Sequence, residues 1–188
     1  MSAGPGEVLG FWFGAPTGAA RPEWFRKDPD FDAQVRARFA ALHAQAAAGG
    51  LEAWAGEPAS ALALVVVLDQ FSRNLHRGDA RAFAQDARAL ALARGAVDRG
   101  WDRGKLPVER QFLYLPFEHA EDPAIQDRSV ALFAGLEAFE ATRGLTEWAE
   151  KHRAIIRRFG RFPHRNAALG RASTAEELAF LREPGSGF

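Results

Sequence analysis

No cysteine occurs among the 188 residues. That excludes disulfides, thiolate zinc sites and a cysteine nucleophile. Net charge is also missing, since 24 Lys+Arg stand against 24 Asp+Glu with the five His neutral. Nucleic-acid binding normally shows a basic field that a neutral chain lacks, so a nucleic-acid partner is not expected. No stretch reaches the ~18 consecutive apolar residues of a membrane span. The start, Met1 to Phe13, has neither the cationic region nor the long apolar run of a secretory signal. The expectation is a cytoplasmic protein with no membrane association. Gly-x-Ser-x-Gly, His-Glu-x-x-His and Gly-x-Gly-x-x-Gly are absent as well, and no cofactor or metal is assigned.

What is present is helix-forming. Apolar residues make up 47% and charged residues 26%, ordinary values for a globular chain of one domain, here 1–188. Ala supplies about a fifth of the residues, and Ala has the best helix propensity. The periodicity predicts helices over 7–13, 31–48, 59–74, 80–99, 108–119, 123–142, 146–158 and from 173 or 174 to 181, with short turns at 23–26 and 51–54. The run Leu64 to Leu68 looks strand-like. It sits inside too long an apolar segment for a strand, and it reads instead as a helix buried on all sides. Asp30 or Asp32 lies at the second helix start, Thr146 caps a later helix, and Ser173 precedes Glu176 at capping-box spacing. Pro116 should kink or break its helix. No βαβ alternation and no linker appear, so the fold class is all-α, with about seven main helices in antiparallel hairpins.

Five phrases in order carry a family resemblance: Val8-Leu-Gly-Phe-Trp-Phe-Gly14, Trp24-Phe-Arg-Lys-Asp28, Leu68-Asp-Gln-Phe-Ser-Arg-Asn74, Tyr114-Leu-Pro-Phe-Glu-His119, and Arg158-Phe-Gly-Arg-Phe-Pro-His-Arg-Asn166 with Leu169-Gly-Arg171. The chain resembles, from Val8 to Phe188, the bacterial family known as domain of unknown function 924. The resemblance implies a fold similar to tetratricopeptide-repeat proteins, an αα-superhelix. It implies no activity. The chain departs from the family's usual pattern at Ser72, where Pro is usual, and at Ala120, where Ser is usual.

Two apparent motifs dissolve on inspection. Asp28, Asp30 and Asp32 open like a calcium loop, but Ala33 and Phe39 stand where that loop needs Gly and Glu. Helix-terminal carboxylates explain them better. Gly100 to Lys105 is one residue short of a phosphate loop, and Leu106 replaces its Ser/Thr.

Other residues carry more. Asp69, Gln70, Arg73 and Asn74 end the most apolar helix, and Asp69 and Arg73 are spaced to pair on one face. A charge there is partly buried and must be paired. The pair is either a structural staple or the wall of a polar pocket. Glu118 and His119, followed by Glu121 and Asp122, form an acid–imidazole cluster suited to acid–base chemistry, and equally to helix capping. A metal there would need His152 or His164 from elsewhere, and no spacing is diagnostic.

Lys151 to Arg171 holds seven Lys+Arg and no acid, whereas Glu109 to Glu150 holds nine acids and three Arg. Neutrality is therefore a cancellation between neighbouring segments. The two should pair, and a ligand site belongs where an Arg is left over. The leading reading is a binding module in which Arg161, His164, Arg165 and Asn166 meet Asp69–Asn74 and Glu118–His119, for a small anionic ligand or a peptide end. The alternatives are a hydrolase-like enzyme using Glu118 and His119, with or without a metal shared by His164, and a structural or interaction protein whose polar motifs only staple helices.

Overall fold

The computed structural model describes residues 3–14 and 18–187. Met1, Ser2 and Phe188, at the ends of the expected 1–188 domain, and residues 15–17 lie outside the described residues. The described chain is all-helical, with eight helices and no strand among those residues.

Helix α1 (Pro5–Phe13) begins with the Glu7 carboxylate accepting from the Gly4 amide and ends at Gly14, whose φ of 67° favours glycine. Its consecutive aromatics divide their faces. Phe11 stacks on Phe31 and meets Phe39 at a tilt, while Phe13 meets Trp24 and Phe112. Helix α2 (Pro29–Ala47) is capped by Asp28, which accepts from the amides of Asp30 and Phe31 at 3.1 and 3.0 Å. Asp30 and Asp32 are thus not the caps. Asp32 is free to reach sideways to Asn74 and Arg77.

Helix α3 is one continuous rod in three stretches: α-helical Pro58–Val65, π-helical Val66–Phe71 and α-helical Ser72–Leu75. Every residue from 61 to 72 is buried, so the strand-like run is indeed a buried helix. The π stretch was not expected. Where it returns to α geometry, side chains reach the carbonyls: Ser72 Oγ donates to Leu68 O at 2.5 Å and Arg73 Nη1 donates to Asp69 O at 2.9 Å. Such insertions are frequent at functional sites.

Helix α4 (Asp86–Asp98) starts six residues later than the periodicity suggested. Asp79 caps a separate 3-10 turn, Ala80–Ala82, which ends the first segment. Helix α5 (Pro107–Glu118) runs through Pro116 without a break and stops two residues on. The Gln126 amide nitrogen takes the carbonyls of Glu118 and Ala120 at 2.7 and 2.8 Å, which satisfies that end.

Helix α6 (Pro123–Ala134) also ends early, at Gly135 rather than 142. Glu137 then accepts from the amides of Gly144 and Thr146, so its carboxylate, and not Thr146, closes the start of α7 (Leu145–Phe159). The last helix, α8 (Ala175–Phe180), uses Thr174 with Glu177 as its capping box, one residue beyond the Ser173–Glu176 spacing.

Helix α3 is the axis. It packs against α1, α2, α4 and α5, and the chain then continues α5 on α6 and α6 on α7. A small satellite core of Ile155, Ile156 and Phe162 sits under Phe159 and Phe180. The loop between α7 and α8 is pinned to the body by Glu121, which accepts from the Phe162 amide at 2.8 Å and from both ends of the Arg171 fork at 2.7 and 3.0 Å. Glu121→Ala should therefore cost about 2 kcal/mol, the scale of charge-assisted hydrogen bonds. Hydrogen exchange should show the Phe162 amide losing protection while the α3 amides keep theirs.

Candidate functional site

The polar ends of α3 and α5, the start of α4 and the 3-10 turn Pro163–Arg165 converge. Asp69 stands at the centre, with no exposed surface. Its Oδ1 is 2.8 Å from His119 Nδ1 and accepts from Arg73 Nη1 at 3.2 Å, and its Oδ2 accepts from Gln70 Nε2 at 2.6 Å. Burial alone would push this carboxyl up. The charge of Arg73 and the hydrogen bonds from His119 and Gln70 outweigh it and hold Asp69 well below the usual range. Asp69 is ionised and can only accept, so His119 Nδ1 carries the hydrogen. That leaves Nε2 with a lone pair and no protein partner among the described residues. The His119 side chain is 13% exposed.

Arg73 reaches onward. Its fork binds Asp86 at both oxygens, 3.0 and 3.1 Å, and Asp86 Oδ2 also accepts from Arg165 Nη1 at 3.1 Å. Arg165 is only 6% exposed. Its guanidinium is clamped between the rings of Phe83 and Phe162, at 4.7 and 4.6 Å. That stacking fixes the plane of the fork. Only Nη1 is used. Arg165 Nε is buried with no hydrogen-bond partner, and Nη2 makes none among the described residues. The side-on edge of the fork, Nε with Nη2, is thus empty. The two arginines differ in consequence. Burial weakens Arg73's charge, but Asp69 and Asp86 overcome it and raise its pKa. Burial dominates at Arg165 and pulls it down to about 10.

The surrounding imidazoles are uncharged. Burial, then Arg165, His119 and Arg73, lower His164 to about 4, and burial brings His152 down to about 3. Burial and the charge of Arg73 also lower His119. Glu118, adjacent to His119 and 3.4 Å from His152 Nδ1, is pushed up to about 8 by burial and by the negative charge of Asp69. Two neighbouring carboxyls are thus driven apart, one ionised and one protonated.

Asp69, Gln70, Arg73, Glu118, His119, His164 and Arg165 meet in this network or act on it electrostatically. Three other candidates are engaged elsewhere. Asn74 donates to Asp32 at 2.7 Å. Arg161 spends its fork on Glu177, at 2.6 and 2.8 Å. Asn166 holds Ser173 and Arg171, at 3.0 and 2.9 Å, behind the loop. Sequence reasoning missed Asp86 and Phe83. A first-turn Asp and a lone Phe in an Ala-rich stretch carry no local mark of a site.

Among the described residues no group of three or more His, Asp or Glu is placed to hold a metal ion. His43 Nε2 lies 2.8 Å from Ser72 Oγ, like a base beside a nucleophile. The hydroxyl already donates to Leu68 O, so the imidazole is the donor there and that pair ties α2 to α3. Two surface cavities, of about 470 Å³ beside Phe11 and Arg38 and about 310 Å³ beside Arg88 and Trp101, lie away from the cluster. The residues with strongly shifted protonation lie in the buried network and not beside those hollows.

The family model described as bacterial protein of unknown function (DUF924) matches residues 8–185. A solved structure of a protein of unknown function from Agrobacterium tumefaciens shares the fold, with a TM-score of 0.85 at 40% identity over 95% of this chain and 96% of that one. No curated protein matches the chain.

Two stability measurements probe the network. Asp69→Ala strips Arg73 and His119 of a buried acceptor and should lower the unfolding free energy by about 3–5 kcal/mol in denaturant titration. Glu118 behaves oppositely. Between its ordinary value of 4.5 and about 8, the folded protein keeps a proton that the unfolded chain has lost. Its contribution to stability therefore falls as pH rises through that window. Glu118→Gln removes the slope, so the variant's thermal midpoint should gain on the parent's progressively from pH about 5 to about 8.

Proposed function

The chain belongs to this bacterial family of unknown function, and from that premise we propose that it is a binding module for a small molecule bearing a carboxylate or phosphate group. The observation that carries the reading is the empty Nε–Nη2 edge of Arg165. A buried donor without an acceptor costs stability on the order of 1–3 kcal/mol, more when charged. Here Arg165 Nε is in that state, and the fork is held rigid by two aromatic faces. A planar anion meets such an edge with two parallel hydrogen bonds. Pre-organisation reduces the ordering cost of binding.

A purely structural staple does not need this arrangement. Asp86 already joins Arg73 to Arg165 through Nη1, and an apolar side chain in place of the rest of the fork avoids the desolvation penalty. A second reading, acid–base catalysis by His119 and Glu118, is favoured by one observation: Asp69 orients His119 so that its Nε2 lone pair is unused. Peptide ends fall within the first reading, because a C-terminal carboxylate has the same planar chemistry.

Isothermal titration with acetate, succinate, inorganic phosphate and a short peptide in free-acid and amidated forms tests the proposal. At least one free anion should bind, and the amidated peptide should bind more weakly than the free acid. Arg165→Met should weaken the bound anion about 10- to 100-fold, the equivalent of a charge-assisted bidentate contact. Arg165→Lys should not restore it, because a point charge lacks the paired donors. Absence of binding by every probe, or equal affinity in Arg165→Met, contradicts the proposal.

A further inference from the structure

We infer that the anion binds together with a proton, taken up by His119 at Nε2, so that the site receives small acids as ion and proton rather than as bare anions. The inference rests on the anion seat at Arg165 just proposed.

Its first basis is hydrogen-bond geometry. Asp69 fixes the hydrogen of His119 on Nδ1. Nε2 therefore presents a lone pair, which repels any anion oxygen that meets it. Protonation turns the same nitrogen into a donor. Its second basis is charge balance. The groups around His119 are Asp69 and Arg73 from α3, Asp86 from α4, Glu118 on its own helix and Glu121 just after it, His152 from α7, and His164 and Arg165 from the loop before α8. Formal charges cancel already: Asp69 and Asp86 balance Arg73 and Arg165, and Glu121 is matched by Arg171. An incoming anion brings a negative charge into a buried, neutral network, and burying an uncompensated charge is costly.

A proton on an imidazole restores the balance. His119 is suited to take it. His152 Nδ1 already faces the Trp148 carbonyl at 2.8 Å, whereas His119 already has an ionised carboxylate behind it to stabilise the imidazolium. His119 and Arg165 are joined by an unbroken chain of contacts, His119–Asp69–Arg73–Asp86–Arg165. Charge added at either end is felt at the other through low-dielectric surroundings. In the empty site, burial and Arg73 keep His119 unprotonated at neutral pH, so there is a proton to gain. The coupling is reciprocal: anion binding raises the proton affinity of His119, and acid raises the affinity for the anion.

Sulfate is the probe, because it stays a dianion through neutral pH and carries no proton of its own. Titration of sodium sulfate at neutral pH, in two buffers of different ionisation heat, should show uptake of about one proton per anion. Affinity should fall about tenfold per pH unit on the alkaline side. His119→Gln should keep measurable sulfate binding, lose the proton uptake and flatten the pH profile. In the parent protein, the ¹⁵N shift of His119 should move to the imidazolium position on saturation, which tests the assignment without any substitution. Sulfate binding with no proton uptake and a flat profile overturns the inference and leaves the anion seat standing. Uptake that persists in a folded His119→Gln variant overturns the role of His119. Failure of the parent to bind sulfate at all overturns this inference, while the seat stands or falls by the acetate, succinate, phosphate and peptide titrations.

Discussion

An ionised carboxylate with no exposed surface must be surrounded by donors, and Asp69 sets that requirement for the whole structure. Gln70, Arg73 and His119 answer it from three directions. Arg73 then carries a charge of its own into the interior, which calls for Asp86 at the start of α4. Asp86 Oδ2 has a second lone pair to spare, and Arg165 uses it. Satisfying one buried charge in this way links α3, α4, α5 and the loop before α8. Glu121 and Arg171 lock the same loop from behind. The last guanidinium in the sequence of compensations ends with a buried donor that no described residue fills.

The π stretch Val66–Phe71 belongs to the same logic. It places Asp69 and Gln70 within a buried rod and exposes main-chain carbonyls that Ser72 and Arg73 then occupy. The Asp69 carbonyl and carboxylate both receive Arg73, so backbone and side chain orient one fork together. Ser72 adds a tie to His43 on α2. Helix α3 therefore acts as scaffold along its apolar length and anchors the buried polar network at its polar end.

How much of this was legible in the sequence follows from the range of each interaction. Local spacing revealed the helices, the all-α class and the pairing of Asp69 with Arg73, because these depend on neighbours three or four residues apart. Boundaries slipped where a side chain from outside the element decided them, as Glu137 does for α7 and Asp79 for the turn before α4. The segregation of acids and arginines pointed to pairing across the C-terminal half. Arg153, Arg157 and Arg171 do pair with Asp127 and Glu121. Arg158 and Arg161 turn instead to Glu176 and Glu177, and Arg165 to Asp86. Asp86 lies 79 residues from Arg165, and nothing in its surroundings marks it. The expectation that a site belongs where an Arg is left over pointed to the segment that holds Arg165, and that arginine is partly paired, a distinction only geometry reveals.

The account turns on whether the Nε–Nη2 edge of Arg165 is empty until an anion arrives. The ¹H–¹⁵N signal of Arg165 Nε reports on this directly, since a buried guanidinium N–H exchanges slowly enough to be seen. Titration with acetate should move that proton downfield in a saturable manner as it gains a charged acceptor. A signal already at a strongly hydrogen-bonded position without ligand, or one that stays fixed while acetate saturates another site, would contradict the account.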